Sequence, residues 1–127
     1  MEQLTVGTLL EALRPFSSEA RVRLLVCGLA PTVLESYRGY YEQLAFGWVD
    51  PADGNEYPTV AEVRGWLRDA TKRSFTGWKG GTYSMTADTP LWVDNPGSAT
   101  GTALVGVAGE YDADAVLLDR FAGLERD

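Results

Sequence analysis

The sequence feature that most constrains the fold is a helix start in the segment Pro58-Thr59-Val60-Ala61-Glu62. Thr59 with Glu62 three residues later forms a capping box, in which each side chain accepts a hydrogen bond from the other residue's free backbone N–H. The apolar residues that follow recur at helical spacing: Val60, Val63, Trp66, Leu67 and Ala70. The pattern predicts an amphipathic helix that buries these residues and runs to about Lys72.

A second helix is predicted near the start of the chain, with Thr5 as its cap and Pro15 ending it. Its apolar residues also recur on one side: Val6, Leu9, Leu10 and Leu13. Thr, Val, Leu and Arg occur at matching places in the two helices, and a turn and a strand pattern follow each of them. The two helix-then-strand units are therefore either an internal repeat or two capped helices that resemble each other by chance.

Strand patterns fill most of the remaining chain. Residues 21–26 begin with alternating polarity and become fully apolar, which is typical of a strand that enters the middle of a sheet. Further strands are predicted at residues 43–49, 82–85, 91–93, 103–107 and 114–118, the last two joined as a hairpin. These elements predict an α+β fold: a mostly antiparallel sheet of about five to seven strands, with two helices packed on one face.

Composition bounds the class of protein. A chain of 127 residues with 45% apolar and 23% charged residues is expected to form a single domain over residues 1–127, with its end frayed from Ala122. Eighteen acidic and eleven basic residues give a net charge of −7, which argues against a general nucleic-acid binder but leaves room for a local basic pocket. Cys27 is the only cysteine, so no internal disulfide is expected.

The start of the chain shows neither a signal peptide nor a membrane segment. Met1, Glu2 and Gln3 open it without a basic region, and no run approaches the ~18 apolar residues of a membrane helix. The sequence therefore predicts a cytoplasmic protein with no membrane partner.

The residue types in the chain argue against a catalytic or metal-binding function. The chain has no histidine, which excludes Ser-His-Asp and Cys-His triads and every metal site that uses histidine. Asp112 and Asp114 either hold a divalent cation or belong to a solvated hairpin turn, together with Glu110 and Asp119. In the turn-rich segment 50–55, only Asp53 is placed as a calcium ligand should be. We therefore predict no catalytic residue, no metal and no cofactor.

Two aromatic stretches carry the sharper hypothesis. The first aromatic stretch is residues 36–41, and the second is residues 75–83. Their rings offer stacking faces for a base, Arg38 and Lys79 offer charge for phosphate, and their glycines allow close backbone approach. The predicted ligand-binding residues are Tyr37, Arg38, Gly39, Tyr40, Tyr41, Thr76, Trp78, Lys79, Gly80 and Tyr83. The same residue types are also found in protein-binding surfaces and in sheet packing.

The two stretches also carry a resemblance to known proteins. The strings Ser36-Tyr37-Arg38-Gly39-Tyr40-Tyr41-Glu42-Gln43-Leu44-Ala45, Phe75-Thr76-Gly77-Trp78-Lys79-Gly80-Gly81 and Thr89-Pro90-Leu91-Trp92-Val93 resemble a family of small bacteriophage-encoded proteins. The resemblance implies a viral accessory role inside a bacterial host. Such accessory proteins include sponges, which sequester the cyclic-nucleotide or ADP-ribose-like signals of host defence, and direct inhibitors of host proteins.

The sequence thus leads to a functional hypothesis with two alternatives. The hypothesis is non-enzymatic binding and sequestration of a small phosphorylated nucleotide-like ligand by a phage anti-defence protein. The first alternative is a protein inhibitor that binds a host defence enzyme through its aromatic surface. The second is an enzyme that cleaves the nucleotide, which requires a carboxylate such as Asp88 or Asp94 near the pocket. In each case a homo-oligomer could complete the pocket or cover a spare sheet edge.

Overall fold

The computed structural model describes residues 2–25, 28–36, 43–76, 82–93 and 102–119. Over these residues the chain forms two α-helices, α1 (Val6–Leu13) and α2 (Val60–Ala70). The strands are β1 (Arg21–Leu24), β2 (Ala30–Ser36), β3 (Leu44–Val49), β4 (Ser74–Thr76), β5 (Thr82–Ser84), β6 (Leu91–Val93), β7 (Thr102–Glu110) and β8 (Asp114–Asp119). The predicted α+β class is confirmed.

Both helices begin where local sequence chemistry places them. The Thr59 side chain accepts a hydrogen bond from the backbone N–H of Glu62 at 3.2 Å, and Glu62 accepts one from the backbone N–H of Thr59 at 3.2 Å. Thr5 caps α1 in the same way, with Thr8 as its reciprocal partner. α2 ends at Ala70, within two residues of the predicted end at about Lys72.

The main sheet is mixed rather than mostly antiparallel. Its strand order is β1-β8-β7-β6-β3-β2, and β4 pairs with β5 in a separate two-stranded sheet. β1 runs parallel to β8, and β3 runs parallel to β6. The second pairing follows from the crossover through α2 and the β4–β5 hairpin, which returns the chain to the edge where β3 began. The prediction of a mostly antiparallel sheet is corrected to this extent.

The two terminal strands of the sheet, β1 and β2, nearly close it. The backbone N–H of Leu24 donates to the carbonyl oxygen of Leu29 at 2.8 Å, which joins the end of β1 to the residue before β2. Nearer the start of β1, the N–H of Val22 donates to the carbonyl oxygen of Pro58 at 2.7 Å. The segment before α2 therefore stands between β1 and β2 at this level, and we call this gap the seam.

The position of β1 differs from its prediction, and the seam explains why. β1 lies at one end of the strand order and not in the middle of the sheet. Val22 and Leu24 are nevertheless fully buried, because the segment around Pro58 covers the side of β1 that no strand occupies. An apolar run indicates that a strand is buried. On the side away from β8, a loop and a helix bury β1, and no second neighbouring strand is needed.

Strand β2 was not predicted. β2 begins at Ala30 and contains Pro31, although proline is generally unfavourable within a strand. Proline is tolerated near the start of a strand at the edge of a sheet, where its missing N–H costs no ladder hydrogen bond. Its presence in β2 is therefore consistent with the terminal position of this strand.

One apolar cluster joins both helices to the main sheet. It includes fully buried side chains such as Leu9 of α1, Leu67 of α2, Phe46 of β3 and Leu104 of β7. Met85, directly after β5, is also buried in it, which anchors the end of the small sheet. The core therefore anchors the bases of the two hairpins, and the aromatic stretches connect the strands of these hairpins.

Candidate functional site

Most of the predicted ligand-binding residues lie outside the described part of the chain. These are Tyr37, Arg38, Gly39, Tyr40, Tyr41, Trp78, Lys79 and Gly80. Thr76 ends β4 and Tyr83 is the middle residue of β5, and only their backbones are described. Their roles as ligand contacts stay predictions, and the strands that flank the two stretches supply the structural information.

Each aromatic stretch connects two strands that are paired with each other. The first stretch leaves β2 at Ser36, which is the pairing partner of Leu44 at the start of β3. The second stretch joins β4 to β5, in which Thr76 pairs with Thr82. Directly opposed residues of an antiparallel pair have Cα atoms about 4.5–5.5 Å apart. The two ends of each connecting segment are therefore held close together.

Arg73 ties the bases of the two hairpins to each other. It lies directly before β4, and its Nη2 donates to the carbonyl oxygen of Leu34 in β2 at 2.6 Å. Its Nε lies 3.5 Å from Oδ2 of Asp69 in α2, so the guanidinium also joins the helix. Leu34 is two residues before the end of β2 at Ser36. The second stretch therefore starts from a strand that is anchored beside the root of the first.

A further aromatic residue lies at the other root of the first stretch. The indole N–H of Trp92 in β6 donates to Oε1 of Gln43 at 2.5 Å, and Gln43 directly precedes β3. Trp92 is half-buried and is paired with Ala45 of the neighbouring strand. Neither Trp92 nor Gln43 was among the predicted site residues. A tryptophan within an otherwise apolar strand is the signal that was available, because its N–H needs a partner when buried.

A separate concavity opens at the seam, and we call it the seam groove. It has a volume of about 350 Å³ and is formed by the start of β1, the first half of β2, the end of β3, residues 55–58 and α2. No sequence pattern pointed to it, because the groove depends on how β1 and β2 diverge. Its volume is at the lower end of the ~300–1,000 Å³ range of small-ligand pockets.

A β-bulge shapes one wall of the seam groove. Thr32 and Val33 of β2 together oppose Gly47 of β3, because the register shifts between Pro31 and Leu34. A Cβ atom at Gly47 would lie 2.6 Å from Oγ1 of Thr32, so only glycine fits here without displacement. Bulges bend a strand and redirect its side chains. Val33 is accordingly 41% exposed and contributes to the groove wall.

The opposite wall is held by hydrogen bonds to the loop before α2. Nη1 of Arg21 donates to the carbonyl oxygen of Tyr57 at 2.7 Å, and the Tyr57 hydroxyl donates to the carbonyl oxygen of Gly28 at 2.6 Å. Glu62 receives the capping hydrogen bonds of Thr59 through Oε1. These contacts make the loop a defined wall that spans from β1 to the start of β2.

Asp114, one of the two carboxylates considered as cation ligands, has a structural partner, and so does Asp119 of the same acidic cluster. Oδ2 of Asp114 accepts a hydrogen bond from Nε of Arg23 at 3.3 Å, and Oδ2 of Asp119 accepts one from the Thr102 hydroxyl at 2.8 Å. Among the described residues, no group of three or more acidic or cysteine side chains is arranged to hold a metal ion. Within the same part of the chain, no helix has the length and apolar character needed to cross a membrane.

These features are the basis on which function must be inferred, since no protein-family model, curated protein or solved structure matches this chain.

Proposed function

We propose that this protein binds a small phosphorylated nucleotide-like ligand between its two aromatic stretches and does not transform it. The observation that carries the proposal is the Arg73 contact, which anchors β4 beside the end of β2 through the carbonyl oxygen of Leu34 at 2.6 Å. β4, from which the second stretch starts, is therefore tied to β2, from which the first stretch starts, although the two strands belong to different sheets.

The residue types of the two stretches suit a nucleotide. A tyrosine or tryptophan that stacks on a base contributes roughly 1–3 kcal/mol. Arg38 and Lys79 supply charge-assisted hydrogen bonds to phosphate, each worth about 1.5–3 kcal/mol. One stack with two such contacts amounts to about 4–9 kcal/mol, which offsets part of the free-energy cost of association. The net charge of −7 makes such a local basic site selective against long nucleic acids.

Binding without catalysis is proposed because the chain has no histidine to act as a general base or acid near neutral pH. Asp88, the described carboxylate considered for cleavage, lies exposed in the turn between β5 and β6. The sequence also resembles small phage proteins. We therefore propose that the protein sequesters a cyclic-nucleotide or ADP-ribose-like signal of host defence.

The test is a ligand screen by thermal shift and calorimetry against cyclic dinucleotides and ADP-ribose derivatives. A ligand should raise the melting temperature of the wild-type protein, and Arg38→Ala and Trp78→Ala should abolish that increase. Arg14→Ala is a matched control, because Arg14 is exposed at the end of α1 and its ion pair with Glu11 is also exposed. This variant should bind like the wild type.

Three other results would lead to different conclusions. Absence of any stabilising ligand in this panel would refute the proposal, and specific recovery of a host defence enzyme would then favour the inhibitor. Equal loss of binding in Arg14→Ala would indicate non-specific charge attraction. Recovery of a cleaved ligand after heating the complex would show that the protein is an enzyme.

A further inference from the structure

We infer that Trp92 and Gln43 hold the base of the bound nucleotide and select guanine over adenine. Both residues belong to the described part of the chain. The inference rests on the nucleotide binding proposed above and deepens it, because it names the class of base. Among the ligands considered, it favours a guanine-containing cyclic nucleotide over ADP-ribose derivatives, whose base is adenine.

Trp92 lies on the face of the main sheet that is turned away from the core. Its neighbours along β6, Leu91 and Val93, are both buried in the apolar cluster, and successive side chains of a strand point to opposite faces. Directly opposite Trp92 are Ala45 of β3 on one side and Ala103 of β7 on the other. Each alanine carries only a methyl group, so the half-buried indole is the large side chain of this row. Such a ring offers a stacking face to a planar base.

The hydrogen bond between Trp92 and Gln43 fixes the direction of the Gln43 amide. The indole N–H can only donate, so its partner is Oε1 of the amide and not the amide nitrogen. The Nε2 group of Gln43 keeps its two N–H donors, and within the described part of the chain it donates to no other residue. Gln43 therefore presents donors of known direction beside an aromatic ring.

The pair also lies at the proposed site. Gln43 directly precedes β3 and so stands at the root where the first aromatic stretch rejoins the sheet. Its side chain lies on the outer face of the sheet, because it bonds to Trp92 while the next residue, Leu44, is buried in the core. A base that stacks on Trp92 is therefore within reach of both the Gln43 amide and the first stretch.

These donors suit the edge of a guanine base. Guanine presents two acceptors on its major-groove edge, a carbonyl oxygen and a ring nitrogen, whereas adenine presents one ring nitrogen beside an amino group that donates. Adenine would need Oε1 of Gln43 to accept a second hydrogen bond in addition to the one from Trp92. Well-placed contacts at a base edge discriminate against the wrong base by about fivefold or more.

The test compares guanine and adenine nucleotides that share one backbone: cyclic di-GMP with cyclic di-AMP, and GMP with AMP. Calorimetry on the whole protein should show that the guanine member of each pair binds about fivefold or more tightly. Binding should also quench tryptophan fluorescence, because a stacked base quenches indole emission. Trp66→Leu removes a half-buried tryptophan of α2 and is the matched control. This variant should keep the affinity and most of the quenching.

Three variants locate the base. Trp92→Leu removes the stacking face and should weaken binding of all four nucleotides by about fivefold or more. Trp92→Phe keeps a ring but releases the amide, so it should reduce the guanine preference more than the affinity. Gln43→Glu still accepts from the indole N–H but has no donors, so the ratio of the two affinities should shift towards adenine. The ratio is the readout, because the added charge repels the phosphates of both nucleotides alike. Thermal unfolding verifies that the variants fold.

Three results would overturn the inference. Binding of an adenine ligand without binding of any guanine nucleotide would keep the proposed function but assign the site to the other base. Guanine binding that Trp92→Leu and Gln43→Glu leave unchanged would place the base elsewhere on the molecule. Absence of binding by every nucleotide in the panel would refute the proposed function itself, and the base assignment with it.

Discussion

Replacing Arg64 of α2 with methionine is expected to lower the free energy of unfolding by about 2–3 kcal/mol. Nη2 of Arg64 donates to the carbonyl oxygen of Leu13 at 2.7 Å, with longer contacts to the carbonyl oxygens of Arg14 at 3.3 Å and Phe16 at 3.4 Å. These carbonyl groups lie at the C-terminus of α1 and just beyond it. The guanidinium therefore caps a helix that is distant in sequence.

The magnitude follows from these contacts. A hydrogen bond from a charged group contributes about 1.5–3 kcal/mol, and only the 2.7 Å contact has good length. A cation at a helix C-terminus adds about 0.3–1 kcal/mol through the helix dipole. Methionine keeps most of the aliphatic stem, so little packing is lost. An unfolding entropy of about 2.1 cal/mol/K per residue over 127 residues converts this loss to a decrease of roughly 7–11 °C in Tm.

The assay is thermal and urea unfolding of Arg64→Met beside Arg14→Met. Arg14 is also an arginine at the end of α1, but its side chain is 78% exposed and it pairs with an equally exposed Glu11. Its replacement should change stability by less than ~0.5 kcal/mol. An equal loss of stability in the two variants would contradict the capping role of Arg64. Arg64→Lys should fall between wild type and Arg64→Met, because one ammonium reaches fewer carbonyl groups.

Three further predictions concern the bulge, the terminal hairpin and the link between the hairpins. Gly47→Ala should cost about 1–3 kcal/mol by overpacking against the Thr32 hydroxyl, and adding Thr32→Ala should recover most of that loss in a double-mutant cycle of urea unfolding. Gly109→Ala should destabilise the protein by more than ~2 kcal/mol in thermal unfolding, because Gly109 has a φ of +116° and a Cβ there would overlap a carbonyl group of β8. A smaller loss of stability would contradict this backbone geometry. Arg73→Met should weaken binding of a nucleotide found in the screen more than Arg68→Met, which removes an exposed arginine of α2. Equal effects of the two variants would argue against a role of the Arg73 contact in positioning the two hairpins.

The elements that the sequence predicted correctly are those whose signals are local. The capping box of Thr59 and Glu62 uses atoms three residues apart, so it needs no information about the rest of the fold. The same holds for the terminal hairpin, whose strands β7 and β8 are neighbours in sequence. Trp66 was expected to be buried with the other helix residues, but it is half-buried because it lines the seam groove.

The candidate sites were less predictable than the elements. The two aromatic stretches were identified from their composition, and the connection between their bases was a hypothesis that composition could not test. The contact of Arg73 with Leu34 depends on a strand, β2, that was not predicted. The partnership of Trp92 with Gln43 depends on the parallel pairing of β6 with β3. Each contact joins residues that only the sheet brings together.

The sequence by itself determined where the helices begin, which residues are apolar enough to be buried and the absence of histidine chemistry. These properties depend on hydrogen bonds and side-chain periodicity within a few residues. The tertiary structure decided that β1 lies parallel to β8 and that β2 is the last strand at the other end of the sheet. It also decided that a groove opens between β1 and β2. Strand pairing and seam geometry are set by packing between distant segments, because the same apolar strand can be buried by another strand, a loop or a helix.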